Sequence, residues 1–137
     1  MTEKISVATV VNTGGREGHS QSLTGELDVL TSATKKAGYT NPEELFAAGF
    51  SACFNSAMIY PLQKRDLEDL PRAIRCEVSL MGEPKSGNYE LAVKLIGKID
   101  TLSQEDTKQI MEETMEVCPY SKAVHGNIKV EIEAEEK

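Results

Sequence analysis

Residues 41–61 constrain this chain most. Asn41, Pro42 and Glu44 stand where a helix takes its N-cap, its first residue and its capping-box acid, and the run that follows is rich in alanine and other helix formers. Phe46, Phe50, Cys53 and Ala57 recur at spacings of four, three and four and share one stripe, while Leu45, Ala48, Ala52 and Met58 widen the apolar girth. A helix apolar on so many sides has to be buried in the middle of something. Pro61 offers no N–H to the carbonyl of Ala57 and crowds that turn, which predicts a kink or an end near Tyr60.

The elements on either side supply a sheet for it to bury against. β-Branched residues 5–11 predict a strand, Gly14-Gly15 a turn, and residues 22–31 a second strand. Downstream, Ile74, Cys76, Val78 and Leu80 alternate with polar neighbours, as do Tyr89, Leu91, Val93 and Leu95, and the Pro84 to Gly87 link between them suits a hairpin. Ser103 and Asp106 open a second helix, on which Ile110, Met111, Met115 and Cys118 recur at helical spacing until Pro119 ends it. Ile128, Val130 and Ile132 form a closing strand. The order strand, strand, helix, strand, strand, helix, strand is that of an α+β fold. With 137 residues there is one domain, 1–137, and no repeat or linker divides it. The first helix carries more apolar surface than one small sheet covers, which points to a dimer wrapped around its helices.

Charge removes several function classes. Fifteen basic against 22 acidic side chains give a net charge of -7, so nucleic acid and anionic membranes are poor partners. Aromatic residues make up 5% and Trp is absent, which leaves little for stacking on bases. Residues 1–7 lack the apolar core of a signal peptide and no uninterrupted apolar run would span a bilayer, so a cytoplasmic protein is expected.

Three cysteines without a CxxC pair do not make a disulfide scaffold. A cysteine on an apolar stripe, as Cys53 is, is ordinarily a small core residue with a raised pKa, and it becomes reactive only beside a cation. Cys76 shares the core-facing phase of Ile74 and Val78 and carries no expected chemistry, while Cys118 at a helix end suits either a buried cap or a mobile second thiol. A zinc site with His19 or His125 would need ligands from four unpaired segments, so no metal or cofactor is expected and the histidines read as polar loop residues. Taken alone, Glu43 and Glu44 are an acidic first turn and Arg16 is a solvated loop charge.

Three blocks together are more specific: Gly14-Gly15-Arg16-Glu17-Gly18, the run Asn41-Pro42-Glu43-Glu44 through Ala52-Cys53-Phe54, and Cys118-Pro119-Tyr120-Ser121-Lys122-Ala123. They resemble the organic hydroperoxide resistance (Ohr) proteins of the OsmC/Ohr superfamily over nearly the whole chain. The resemblance implies an OsmC-like fold, with antiparallel sheets wrapped around central helices in an intertwined homodimer. It also implies a thiol peroxidase that reduces organic hydroperoxides to alcohols without metal or haem, and is reset by a dithiol reductant of lipoyl type. By position, Cys53 is similar to the peroxidatic cysteine and Cys118 to the resolving one; Arg16 matches the arginine that pairs with the thiolate, and Glu43 the glutamate that orients it. The Gly-Gly-Arg and Cys-Pro-Tyr-Ser blocks suggest the Ohr rather than the OsmC branch, whose preferred peroxide would differ. Outside the enzymes, a dimeric thiol-based oxidation sensor or small-molecule binding dimer is the competing reading.

Physical chemistry accepts this assignment. An ion pair at about 4 Å is worth roughly 4 kcal/mol at an effective dielectric near 20, or about three pKa units, enough to offset moderate burial of Cys53. Ten residues of helix put Glu43 about 15 Å along the axis from Cys53, so a partner subunit is expected to lend Glu43, and Arg16 with it, to each Cys53. Phe46, Phe50 and Met58 lie near the reactive helix and could form an apolar collar for the substrate or be simple core.

Overall fold

The computed structural model describes residues 2–136. They fall in two compact units, the first ending at Leu45 and the second beginning at Phe46.

The first unit is a four-stranded sheet in chain order: β1 (Val10–Thr13), β2 (His19–Ser22), β3 (Asp28–Thr31) and β4 (Tyr39–Thr40). β1 with β2 and β2 with β3 are antiparallel, and β3 with β4 is parallel. The first strand begins later than residues 5–11 predict, and Ile5 and Val7 are exposed. The cause is pairing: β1 pairs with β2 from Val10 opposite Ser22, Leu23 N–H still donates to Thr9 O, and beyond that rung the partner strand has turned away. The expected second strand is a hairpin. Gly25, at φ +81°, takes a left-handed turn position that suits glycine, and Ser22 closes the loop by accepting from the N–H groups of Gly25 and Leu27. Strand propensity over residues 22–31 was therefore right in kind and blind to the turn inside it. His19 stands in β2 rather than in a loop.

α1 (Pro42–Ala57) starts as its sequence dictates: Asn41 Oδ1 accepts from the Glu44 N–H at 2.7 Å. The Glu44 carboxylate takes its bond from the Thr40 hydroxyl instead of closing the box on Asn41. The helix stops at Met58 and resumes as α2 (Ile59–Gln63), so the break falls three residues ahead of Pro61, where the carbonyl of Ala57 meets the missing N–H. Together Pro42–Gln63 matches a membrane span in length and in mean hydropathy, 1.3, yet Phe50, Phe54, Met58 and Leu62 from it are fully buried in the core of the second unit. Of the residues that widen the apolar girth, Met58 is covered within the chain, whereas Ala48 and Ala52 are exposed.

The second unit carries the long hairpin β5 (Arg72–Glu83) and β6 (Asn88–Ile99), antiparallel in a register running from Arg72 opposite Ile99 to Glu83 opposite Asn88. Ile74, Cys76 and Val78 face inward as their period of two predicts. The closing strand β7 (Val130–Ala134) joins β6 in parallel. Both sheets therefore carry a parallel pair, which corrects the expectation of purely antiparallel sheets: β4 and β7 each return to a neighbour through a connection rather than a tight turn.

α3 (Gln104–Met115) begins at Ser103, whose hydroxyl accepts from the Asp106 N–H. It ends before Cys118, because the N–H groups of Val117 and Cys118 both turn back to Thr114 O. Pro119 does not terminate this helix but opens another, α4 (Pro119–Val124), at the position where a missing N–H does no harm.

Candidate active site

The predicted site residues form two clusters, one in each unit. In the first, Arg16 sits in a 3-10 turn, Gly15–Glu17, between β1 and β2. Its Nη1 donates to both oxygens of Glu43, at 3.0 Å and 3.1 Å, so a single nitrogen straddles the carboxylate. Glu43 is the more covered partner, with 18% of its side chain exposed against 42% for Arg16. Arg16 thus keeps donors free while its position is fixed.

In the second cluster, Cys53 projects from the fourth turn of α1 and Cys118 stands at the N-cap of α4. All three cysteines are free thiols; Cys53 is half-buried and Cys118 fully buried. Burial is the main force raising the Cys53 pKa. The neighbouring Cys118 thiol pushes the same way, by charge and by a side-chain hydrogen bond, and the backbone N–H of Tyr120 opposes both. Two cysteines 65 positions apart in sequence are therefore neighbours in the fold. Cys76 lies elsewhere on β5, its pKa pushed up to about 11 by burial and by Glu77.

Tyr120 is the residue that sequence reasoning left without a role. Its ring lies 6.1 Å from Phe46 and 5.6 Å from Phe50, which are themselves edge-to-face at 5.9 Å. It rests on Gly49, where an added Cβ would stand 2.5 Å from the phenol oxygen. Two signals in the sequence point to it: a glycine four residues before Cys53, and a proline before Tyr120 that makes the Tyr120 amide the first N–H of its turn. Phe50 and Met58 are fully buried in the core, whereas Phe46 is partly open. Among the described residues, no group of three His, Cys, Asp or Glu side chains is placed to hold a metal ion.

Chemically, the second cluster brings two thiols and the Tyr120 amide into one neighbourhood. The first is a fixed guanidinium that can receive negative charge.

Comparison with known proteins agrees with these blocks. Residues 34–133 match the family model OsmC, described as OsmC-like protein, a span that includes Glu43, Cys53 and Cys118 and leaves Arg16 outside. The organic hydroperoxide resistance protein OhrB of Bacillus subtilis (strain 168) is 38% identical over 130 residues, covering 92% of this chain and 95% of its own. The crystal structure of Bacillus subtilis OhrB is similar with a TM-score of 0.87 at 34% identity, over 96% of this chain and 100% of that one. An OsmC-like protein of Mycoplasma pneumoniae, 13% identical, shares the fold with a TM-score of 0.72 over 96% of this chain and 98% of its own.

Proposed function

The chain belongs to the OsmC/Ohr family, and from that membership we propose that it is a Cys-based peroxidase that reduces organic hydroperoxides, alkyl or lipid, to their alcohols. The observation that carries the reading is the meeting of Cys53 and Cys118, drawn from α1 and the start of α4 into one neighbourhood.

In the proposed cycle the Cys53 thiolate attacks the terminal peroxide oxygen. An S–O bond forms, the O–O bond breaks, and the alkoxide leaves as alcohol after taking a proton, so Cys53 becomes a sulfenic acid. The Cys118 thiol then displaces water from that sulfur to give a Cys53–Cys118 disulfide, ahead of irreversible over-oxidation. A dithiol of lipoyl type supplies two electrons by exchange and restores both thiols.

Burial and Cys118 push the Cys53 thiol upward, and one amide does not make a reactive thiolate of it. Arg16, with donors free beyond its Glu43 contact, is the cation we assign to Cys53, and it would also receive charge from the breaking peroxide. α1 is unbroken from Pro42 to Ala57, so Glu43 and Cys53 stay separated along it, which supports a homodimer in which each subunit lends Arg16 and Glu43 to its partner's Cys53. Phe46, with Phe50 and Tyr120 beside it, would form the apolar collar that prefers a bulky R group to hydrogen peroxide, while Met58, fully buried, serves as core. We place the protein in the cytoplasm, which suits three cysteines whose spacing makes no disulfide scaffold.

The test is steady-state turnover of cumene hydroperoxide with dihydrolipoamide. Many turnovers per Cys53, faster than with hydrogen peroxide, are expected. A single stoichiometric oxidation with no turnover would instead identify a thiol-based sensor.

A further inference from the structure

The turn that carries Arg16 is tied down far more thoroughly than an exposed five-residue loop requires. Thr31, at the end of β3, is 4% exposed, and its hydroxyl bridges the turn: it donates to the Gly15 carbonyl at 3.1 Å and accepts from the Gly18 N–H at 3.1 Å. The Thr31 N–H adds a third bond, to Gly18 O at 2.9 Å. From the other side, Asn12 Oδ1 accepts from the Gly15 N–H at 3.0 Å, and its Nδ2 donates to Gly15 O and His19 O at 3.3 Å and to Ser20 Oγ at 3.0 Å. Glu17 accepts from the Ala33 N–H at 2.7 Å. The glycines leave no slack: Gly14 and Gly15 sit at φ +83° and +62°, and a Cβ on Gly18 would stand 2.0 Å from Thr13 O. Both peptide groups of Gly15 and the amide of Gly18 are thus fixed, and Arg16 lies between them.

A valine would fill the Thr31 position with the same shape. What it lacks is the hydroxyl, and that hydroxyl is spent on both sides of the Arg16 turn.

We propose that Thr31, seconded by Asn12, is a positioning residue for Arg16: it holds the turn in the conformation in which the guanidinium already meets Glu43, before a hydroperoxide arrives. This rests on the assignment of Arg16 to the Cys53 thiolate. Charge stabilisation is most effective when the donor needs no reorganisation as charge develops, and a turn released from Thr31 would have to be reordered in every cycle.

The experiment compares Thr31→Val, Thr31→Ser, Asn12→Ala and Arg16→Ala, each checked by circular dichroism. Thr31→Val is expected to lower kcat/KM for cumene hydroperoxide by about tenfold to a hundredfold. It should also shift the pH midpoint of Cys53 alkylation upward and speed hydrogen exchange at the Gly18 amide, and Thr31→Ser should restore all three. Added to Arg16→Ala, it should cause no further loss of rate. A wild-type rate and alkylation midpoint in Thr31→Val, with both lost in Arg16→Ala, would overturn the positioning role and leave the proposed chemistry standing. An additive loss in the double variant would overturn it too, by showing that Thr31 acts otherwise than through Arg16. A wild-type rate in Arg16→Ala would overturn the assignment of Arg16 itself. Should Thr31→Val not fold, Asn12→Ala, on the exposed side of the turn, carries the same comparison with the same expected direction.

Discussion

Three thiols with the same chemistry are sorted by their surroundings. Cys53 is half-buried beside a second sulfur, Cys118 is sealed, and Cys76 is pushed up to about 11 by burial and by Glu77. Cys53→Ser is therefore expected to abolish peroxidase activity, and Cys118→Ser to allow one turnover before over-oxidation; Cys76→Ser should change the rate less than about twofold. Mass spectrometry of the oxidised variants, alongside turnover, checks all three. The pH dependence has a definite sign. Burial raises the Cys53 pKa and a cation lowers it, so removing the cation in Arg16→Ala should move the alkylation midpoint to higher pH and reduce the thiolate present at neutrality. An unchanged midpoint would mean another group holds the charge. At this scale the sequence was informative for Arg16, Glu43, Cys53 and Cys118, because each stands in a block of recognisable spacing. It did not reveal the Tyr120 amide or the Thr31 hydroxyl, whose importance depends on which backbone groups folding leaves opposite them.

Two helix starts and the break ahead of Pro61 were legible, and the junction of α3 with α4 was not. Asn41 and Ser103 cap the turns they precede because capping is decided within four residues. The stop of α3 at Met115 and the opening of α4 at Pro119 depend on how Thr114 O is shared, which no spacing discloses. Gly49 illustrates a conflict within α1. Alanine there would favour the helix by about 1 kcal/mol, but its Cβ would collide with the rigid Tyr120 ring. The two effects nearly cancel in stability, so Gly49→Ala should leave the urea midpoint almost unmoved while lowering peroxidase rate about threefold or more as Tyr120 is displaced. Arg65 and Glu113 join the end of α2 to α3 at 2.6 Å, and the Arg65 hydrogen bond holds the Glu113 carboxyl below its usual range. A depressed carboxylate pKa stabilises above the unfolded value and loses that contribution on acidification. Both side chains are about one-third exposed, so Glu113→Gln should cost only about 0.5 kcal/mol at pH 7, a cost that shrinks as pH falls below the ordinary glutamate range and vanishes once the folded carboxyl is itself protonated, measured by urea unfolding.

For the whole molecule, the α+β class followed from periodicity, whereas the division into two units and the parallel strand pairs did not, because both are long-range choices. Apolar side chains remain uncovered in each unit: Val10, Val11, Leu23, Leu27 and Leu30 in the first, and Tyr60, Leu80, Met81 and Tyr89 in the second. A second copy would bury them, and sedimentation should find a particle of about twice the 15.0 kDa chain mass. A clean single-chain mass would remove the lending of Arg16 between subunits. The complete burial of Cys118 sets the approach for whatever regenerates the protein. In the proposed cycle an incoming thiol would reach the bridge at its Cys53 end, so the mixed intermediate would form there with Cys118 as the leaving group. Reductants too bulky to enter beside Phe46 would then fail for want of access, whatever their potential.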